Sequence, residues 1–187
     1  KKILSLEKLN EDDDVSFLNM NGLGIEKKYS QPETNKKLSE VYKSYQYFED
    51  DDVIFAKITP CFENGKLSIA KNLTNGVGFG SSEFVVLRTH INFQSEFLYY
   101  CLLDEKFRKD GAGNMSGAVG HKRVSKEYFN NYTVPTPPLE AQKLISKKFD
   151  EVWKNTTKIV SLKYKKTEEL TKLKLAILRQ ELQSEAA

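Results

Sequence analysis

Apolar residues recur along this chain at two different periods, and the change of period divides it. Short runs at the two-residue spacing of strands occupy residues 15–18, 53–58, 67–70 and 83–88. The acidic cluster at residues 49–52 and the Asn75-Gly76 pair mark turns between them. Residues 95–103, SEFLYYCLL, repeat apolar side chains at helical spacing instead, with Ser95 as the expected N-cap. Gly111, Gly113, Gly117 and Gly120 then predict a loop. At residues 134–138, VPTPP, three prolines force an extended entry and bar any helix from starting earlier.

From Leu139 onward there is neither Pro nor Gly. Steps of four and three from Ile145 reach Phe149, Val152, Thr156, Ile159, Lys163, Lys166, Leu170, Leu173, Ile177 and Gln180. Apolar residues hold both ends of this coiled-coil seam and fail in its middle, where a stutter to Val160 and Tyr164 repairs part of it. The expected fold class is therefore α+β. A mixed, β-rich domain over residues 1–134 precedes a Pro-rich entry and one long coiled-coil-type helix over 135–187. A helix from 139 to 185 is about 70 Å long at 1.5 Å per residue. A 134-residue domain cannot cover it, so a partner is expected along Ile145, Phe149, Val152, Ile159, Leu170, Leu173 and Ile177.

The chain has 187 residues, 39% of them hydrophobic, which argues against disorder. No run of about 18 apolar residues exists to span a membrane. The opening KKILSLEKLN has too short an apolar stretch for a signal peptide, and it begins with Lys rather than Met, as expected of a fragment. Cys61 and Cys101 have no metal-ligand spacing and are expected as buried, reduced thiols of a cytoplasmic protein. Net charge runs from −3 over residues 1–60 to +2 over 61–138 and +4 over 139–187, which permits an anionic partner without requiring one.

Catalytic chemistry is hard to assemble. The pattern Gly76-Val77-Gly78-Phe79-Gly80 leads into a strand, whereas a phosphate cradle opens a helix. Lys66 stands one place too far from Glu63 for a metal-nuclease Glu-x-Lys pair, and His90 and His121 are isolated. No catalytic residue, metal site or cofactor of the chain's own is expected. Three polar constellations remain: the connector KITPCFENGK at 57–66, with Lys57, Thr59, Asn64 and Lys66; Gly80-Ser81-Ser82-Glu83; and the stretch 117–123, with His121, Lys122 and Arg123. Lys, Arg, Asn and Ser are residues that hold phosphates and base edges.

Four segments, in order, resemble the specificity subunits of type I restriction-modification enzymes. They are DVIFAKITPCFENGK at 52–66, GFGSSEF at 78–84, the run from Met115 through Gly117 and Gly120 to Lys122-Arg123-Val124, and PTPPLEAQ at 135–142. The resemblance implies a target recognition domain that reads double-stranded DNA, followed by a conserved helix, with no catalysis in the chain itself. Methyl transfer would belong to methyltransferase subunits that bind S-adenosylmethionine, and a restriction subunit would complete the enzyme. Family members usually hold two such domains and two antiparallel helices. One of each implies either half of a two-domain subunit or a half-size subunit that forms a homodimer. In this reading Lys57, Asn64, Lys66, Ser81, Ser82, His121, Lys122 and Arg123 lie on the DNA side, holding phosphates or scaffold. Base choice is expected in the segment 19–47, at Lys27, Lys28, Gln31 and Lys36. The alternatives are a small DNA-modifying enzyme, nuclease or methyltransferase, and a coiled-coil scaffold that binds no DNA.

Overall fold

The computed structural model describes residues 6–25, 27–118 and 120–184; Val119 of the glycine-rich motif and the first five residues of the opening stretch lie outside them. Strands β1 (Asp14–Leu18) and β2 (Thr34–Lys37) lead to a single-turn helix α1 (Leu38–Val41). Strands β3 (Gln46–Glu49), β4 (Val53–Ala56), β5 (Leu67–Ile69), β6 (Val77–Gly80) and β7 (Phe84–Leu87) follow. Helices α2 (Ser95–Leu102) and α3 (Glu105–Gly113) come next, then β8 (Met115–Ser116), β9 (Arg123–Val124) and α4 (Lys126–Asn131). The 46-residue helix α5 (Leu139–Ser184) ends the described chain. This is the α+β class expected from the periodicities. Residues 1–143 and 144–187 form two compact units.

In the first unit, β2-β1-β6-β3 make one sheet, in which only β1 and β6 run parallel, and β5-β4-β7 make a second, antiparallel one. Alternation along β4 explains why its VIFA run is apolar throughout. Val53 and Phe55 join a core with Leu98, Tyr99 and Leu102 of α2 and Phe107 of α3. Ile54 and Ala56, on the other face, join Leu18, Phe48 and Phe84. A third cluster of Val15, Leu38, Val41, Val77 and Phe79 fills the opposite face of the four-stranded sheet.

Strand β6 shows why the glycine pattern is no cradle. A Cβ on Gly78 would lie 2.2 Å from Phe48 Cε2, and one on Gly80 would lie 2.5 Å from Phe84 Cε2. The two glycines leave room for two aromatic rings in the core, while Val77 and Phe79, which alternate with them, face the other way.

Three sequence expectations change. Strands β2, β3, β6, β8 and β9 go unpredicted, β8 within the stretch expected as a loop; TNKK lacks any apolar alternation and VGFG carries glycine on one whole face. Ser95 does not cap α2. Gln94 occupies that position, and the Ser95 hydroxyl donates to the Asp51 carbonyl and meets Thr89 Oγ1. Gly111 and Gly113 belong to α3 rather than a loop, since Asp104 caps the helix by accepting from Lys106 N at 3.0 Å. A Cβ on Gly111 would come within 2.5 Å of Phe62 Cζ, so this glycine serves close packing.

Two polar groups tie the first unit together. Asp52, 1% exposed, accepts Arg88 Nε at 2.8 Å, Arg88 Nη2 at 2.7 Å and the Glu49 amide at 2.7 Å. Gln142, also 1% exposed, accepts from Gln94 N at 2.8 Å and donates to the carbonyls of Pro137 and Asn92 at 2.8 and 3.2 Å.

Candidate nucleic-acid interface

The connector after β4 brings the other two polar constellations to its first residues. The Lys57 amide donates to the Glu83 carbonyl at 3.0 Å, so the strand pairing with β7 persists one residue beyond β4. On the other side, Val124 N donates to the Lys57 carbonyl and Thr59 N to the Lys122 carbonyl, each at 2.9 Å, and Ile58 forms an antiparallel bridge with Arg123. Residues 83, 57 and 124 thus lie side by side. Lys57 Nζ donates to the Ser82 carbonyl at 2.9 Å, and Ser81 Oγ accepts the Glu83 amide at 3.2 Å. Arg123 closes the corner: its Nη2 meets Glu83 Oε1 at 2.6 Å and its Nη1 donates to the His121 carbonyl at 3.2 Å. The Arg123 guanidinium holds the Glu83 carboxyl below the usual carboxylate range, against the opposing effect of burial. His121 and Lys122 stay exposed.

The rest of the connector does structural work. Phe62 is buried against Phe55, Phe107 and Phe129, and Cys61 packs beside the core that holds Ile54 and Ala56. Both cysteines are free thiols and half-buried rather than fully buried. Gly65 takes φ +72° at the turn, below Arg108, and Asn64 beside it is exposed. The Lys66 ammonium is occupied, donating to the Met20 carbonyl at 2.7 Å.

The four residues expected to choose bases fall on two sheets. Lys27, Lys28 and Gln31 belong to a segment laid along β5. Its anchors are Ser68 Oγ to the Lys27 carbonyl at 2.8 Å, Ile69 N to the Lys28 carbonyl at 2.7 Å and Ser30 N to the Ile69 carbonyl at 2.9 Å. Lys28 Nζ stands 5.2 Å from the Tyr100 ring centre and 5.5 Å from that of Tyr29. Lys36 lies on β2 of the other sheet, 4.0 Å over Phe17 and 5.6 Å over Tyr45. Sequence reasoning missed Glu83 as the partner of Arg123. It also missed the half-exposed Tyr29 and Tyr45 beside the two lysines. The signals were there, an acid inside a basic motif and aromatics near Lys, but neither names a partner.

Among the described residues no group of His, Cys, Asp and Glu could hold a metal ion, and no helix is long and apolar enough to cross a membrane. In the second unit, the expected seam residues Phe149, Val152, Ile159, Leu170, Leu173 and Ile177 are exposed, at 49–66% of their full area. Ile145 is half-buried.

Comparison with known proteins brings a consistent set of relatives. The family model for the type I restriction modification DNA specificity domain matches residues 1–172. The EcoAI specificity subunit of Escherichia coli is 34% identical over 144 residues, covering 76% of this chain and 24% of that protein. The EcoEI specificity subunit of Escherichia coli is 37% identical over 151 residues, covering 79% and 25%. The chain therefore spans about a quarter of the length of these relatives. The crystal structure of the HsdS subunit from Thermoanaerobacter tengcongensis shares the fold, with a TM-score of 0.65 and 18% identity over 80% of this chain and 38% of that one. A structure described for complex assembly and conformational transition of the type I R-M system gives 0.66 and 17% identity, over 90% and 38%.

Proposed function

Since the chain belongs to the family of type I restriction modification DNA specificity domains, we propose that it directs such a system to its DNA sequence without catalysing any step itself. One observation carries this reading: the family match spans residues 1–172, which takes in the β-rich domain and most of α5. In this role the domain grips duplex DNA, and α5 pairs with a second helix and docks methyltransferase subunits. Those subunits bring S-adenosylmethionine, and a restriction subunit joins them. Lys57, Ser81, Ser82, His121, Lys122 and Arg123 contribute a sequence-independent hold on phosphates at one corner. Lys27, Lys28, Gln31 and Lys36, together with the aromatic rings beside them, lie in the segment that selects bases. A two-fold arrangement of two domains reads an interrupted palindrome whose spacer is set by helix length.

The test is to express the chain with a methyltransferase subunit of the same system and sequence the host's methylated positions. The expected result is one bipartite methylated motif that vanishes when this chain is omitted. Methylation that persists unchanged without it, or methyl transfer by the purified chain alone, overturns the reading.

A further inference from the structure

Resting on that reading, we propose that Glu83 is a positioning residue for DNA binding, holding the Arg123 guanidinium so that its remaining donors meet one backbone phosphate. Glu83 takes one edge of the guanidinium: Nε lies 2.9 and 3.1 Å from its two carboxylate oxygens and Nη2 2.6 Å from one of them. The His121 carbonyl takes a donor of Nη1 at 3.2 Å. A guanidinium has five N–H donors in a rigid plane. Among the described residues these bonds engage Nε and one donor on each terminal nitrogen, which leaves one on each.

The backbone on both sides is fixed by the hydrogen bonds from Lys57 to Glu83 and from Val124 to Lys57. The side-chain pair therefore spans the chain at Lys57 and cannot drift with its loops. Glu83 is the more buried partner, 20% exposed against 47% for Arg123, so the carboxylate sits as a support and the guanidinium faces water. A two-point grip on one edge fixes the orientation of the plane, which a single-point contact to a lysine could not do. Such a pre-oriented arginine loses less side-chain freedom when it binds.

Charge alone makes the opposite forecast. A carboxylate on a DNA-facing corner repels phosphate, so removing it should tighten binding. The sign of one measurement separates the two accounts. Fluorescence anisotropy of the full chain with a mixed-sequence DNA duplex, over a salt series, would compare wild type, Glu83→Gln, Arg123→Ala and the double variant. Arg123→Ala should flatten the slope of log affinity against log salt by about one unit. Glu83→Gln should weaken binding by about three- to tenfold and flatten the slope in the same direction, yet should weaken nothing further once Arg123 is Ala. Arg123→Lys keeps the charge without the two-nitrogen edge and should lose as much affinity as Glu83→Gln, which decides the matter if Glu83→Gln melts early. Tighter binding by Glu83→Gln overturns the proposal, as do equal losses in both backgrounds and wild-type affinity for Arg123→Lys. A wild-type chain without salt-dependent affinity for the duplex overturns the DNA-recognition reading itself.

Discussion

The two units of this chain treat the same residue types in opposite ways. Along β4, Val53 and Ile54 are fully buried and Phe55 is 2% exposed; along α5, Val152, Ile159 and Phe149 stand 62%, 66% and 49% exposed. The difference lies in period. A two-residue alternation lets β4 supply two cores at once, because neighbouring strands and α2 close over both faces. The α5 pattern gathers apolar residues on a seam, and a seam is closed only by another helix. The β-rich unit meets its hydrophobic need internally, while the helix leaves its seam exposed, the face we propose as an interface. The largest effect should follow from attacking that interface. Ile159→Glu with Leu173→Glu should weaken self-association by about a hundredfold or more, taking about 1.5–3 kcal/mol for each buried side chain. Sedimentation velocity at micromolar concentration checks it, and the melting of the β-rich unit should not move. A wild-type chain that sediments as a monomer, or a variant that still pairs, breaks the contrast between the units.

Inside the β-rich unit, the next largest effect should follow from a single added methyl group. Gly78→Ala places its Cβ against Phe48 in a core closed on both sides, at a cost of about 3 kcal/mol in urea unfolding. Gly113→Ala is the control. Nothing lies within 4 Å of its Cβ, and it sits in α3, so it should be neutral or stabilising by up to about 1 kcal/mol. Equal costs for the two would mean that backbone freedom, not ring packing, explains the glycines of β6.

Asp52→Ala probes the polar counterpart of that packing. It strands the Glu49 amide and the Arg88 guanidinium, both of which the buried carboxylate satisfies. Arg88 is 46% exposed and keeps Glu49 at 3.0 Å, so water and a second partner soften the loss to about 2 kcal/mol. A change below about 0.5 kcal/mol would reduce the network to a surface ornament.

How much of this was legible beforehand follows the same division. The long helix, its entry at the prolines and its exposed seam were readable, because a helix of 46 residues states its period many times over. Strands β4, β5 and β7 were readable from short apolar runs. Strand β2 was not, since TNKK offers no apolar alternation and its partners on β1, Asp14 for Lys37 at 2.9 Å and the Phe17 ring for Lys36, lie about twenty residues away in sequence. Strand β6 was not either, because Gly78 answers Phe48, which is distant in sequence, and Gly80 answers Phe84 only once the chain turns back on itself. The polar constellations could be named one by one. That Lys57, the 81–83 corner and residues 121–123 converge depends on strand neighbours that no local pattern reports. Lys36 and Lys28 fell into one expected segment yet belong to different sheets for the same reason.

The smallest predicted effect is a pH dependence that the β-rich unit carries in Tyr128. Its hydroxyl donates to the Phe107 carbonyl at 2.7 Å. Burial, then the neighbouring Tyr132 and Asp110, push its pKa up to about 12. Tyr132 is raised in the same direction, again chiefly by burial. An unfolded tyrosine ionises near about 10. The folded unit therefore favours the neutral phenol. That preference supports stability fully below about pH 10 and is lost as the pH rises from there toward about 12. Urea midpoints should fall through this window in the wild type. Tyr128→Phe should lower the unfolding free energy at neutral pH by the value of one hydrogen bond, about 1 kcal/mol, and should make the alkaline fall shallower without abolishing it, since Tyr132 remains. A fall just as steep in Tyr128→Phe would move the alkaline sensitivity to other groups and leave Tyr128 as a packing residue of the aromatic cluster alone.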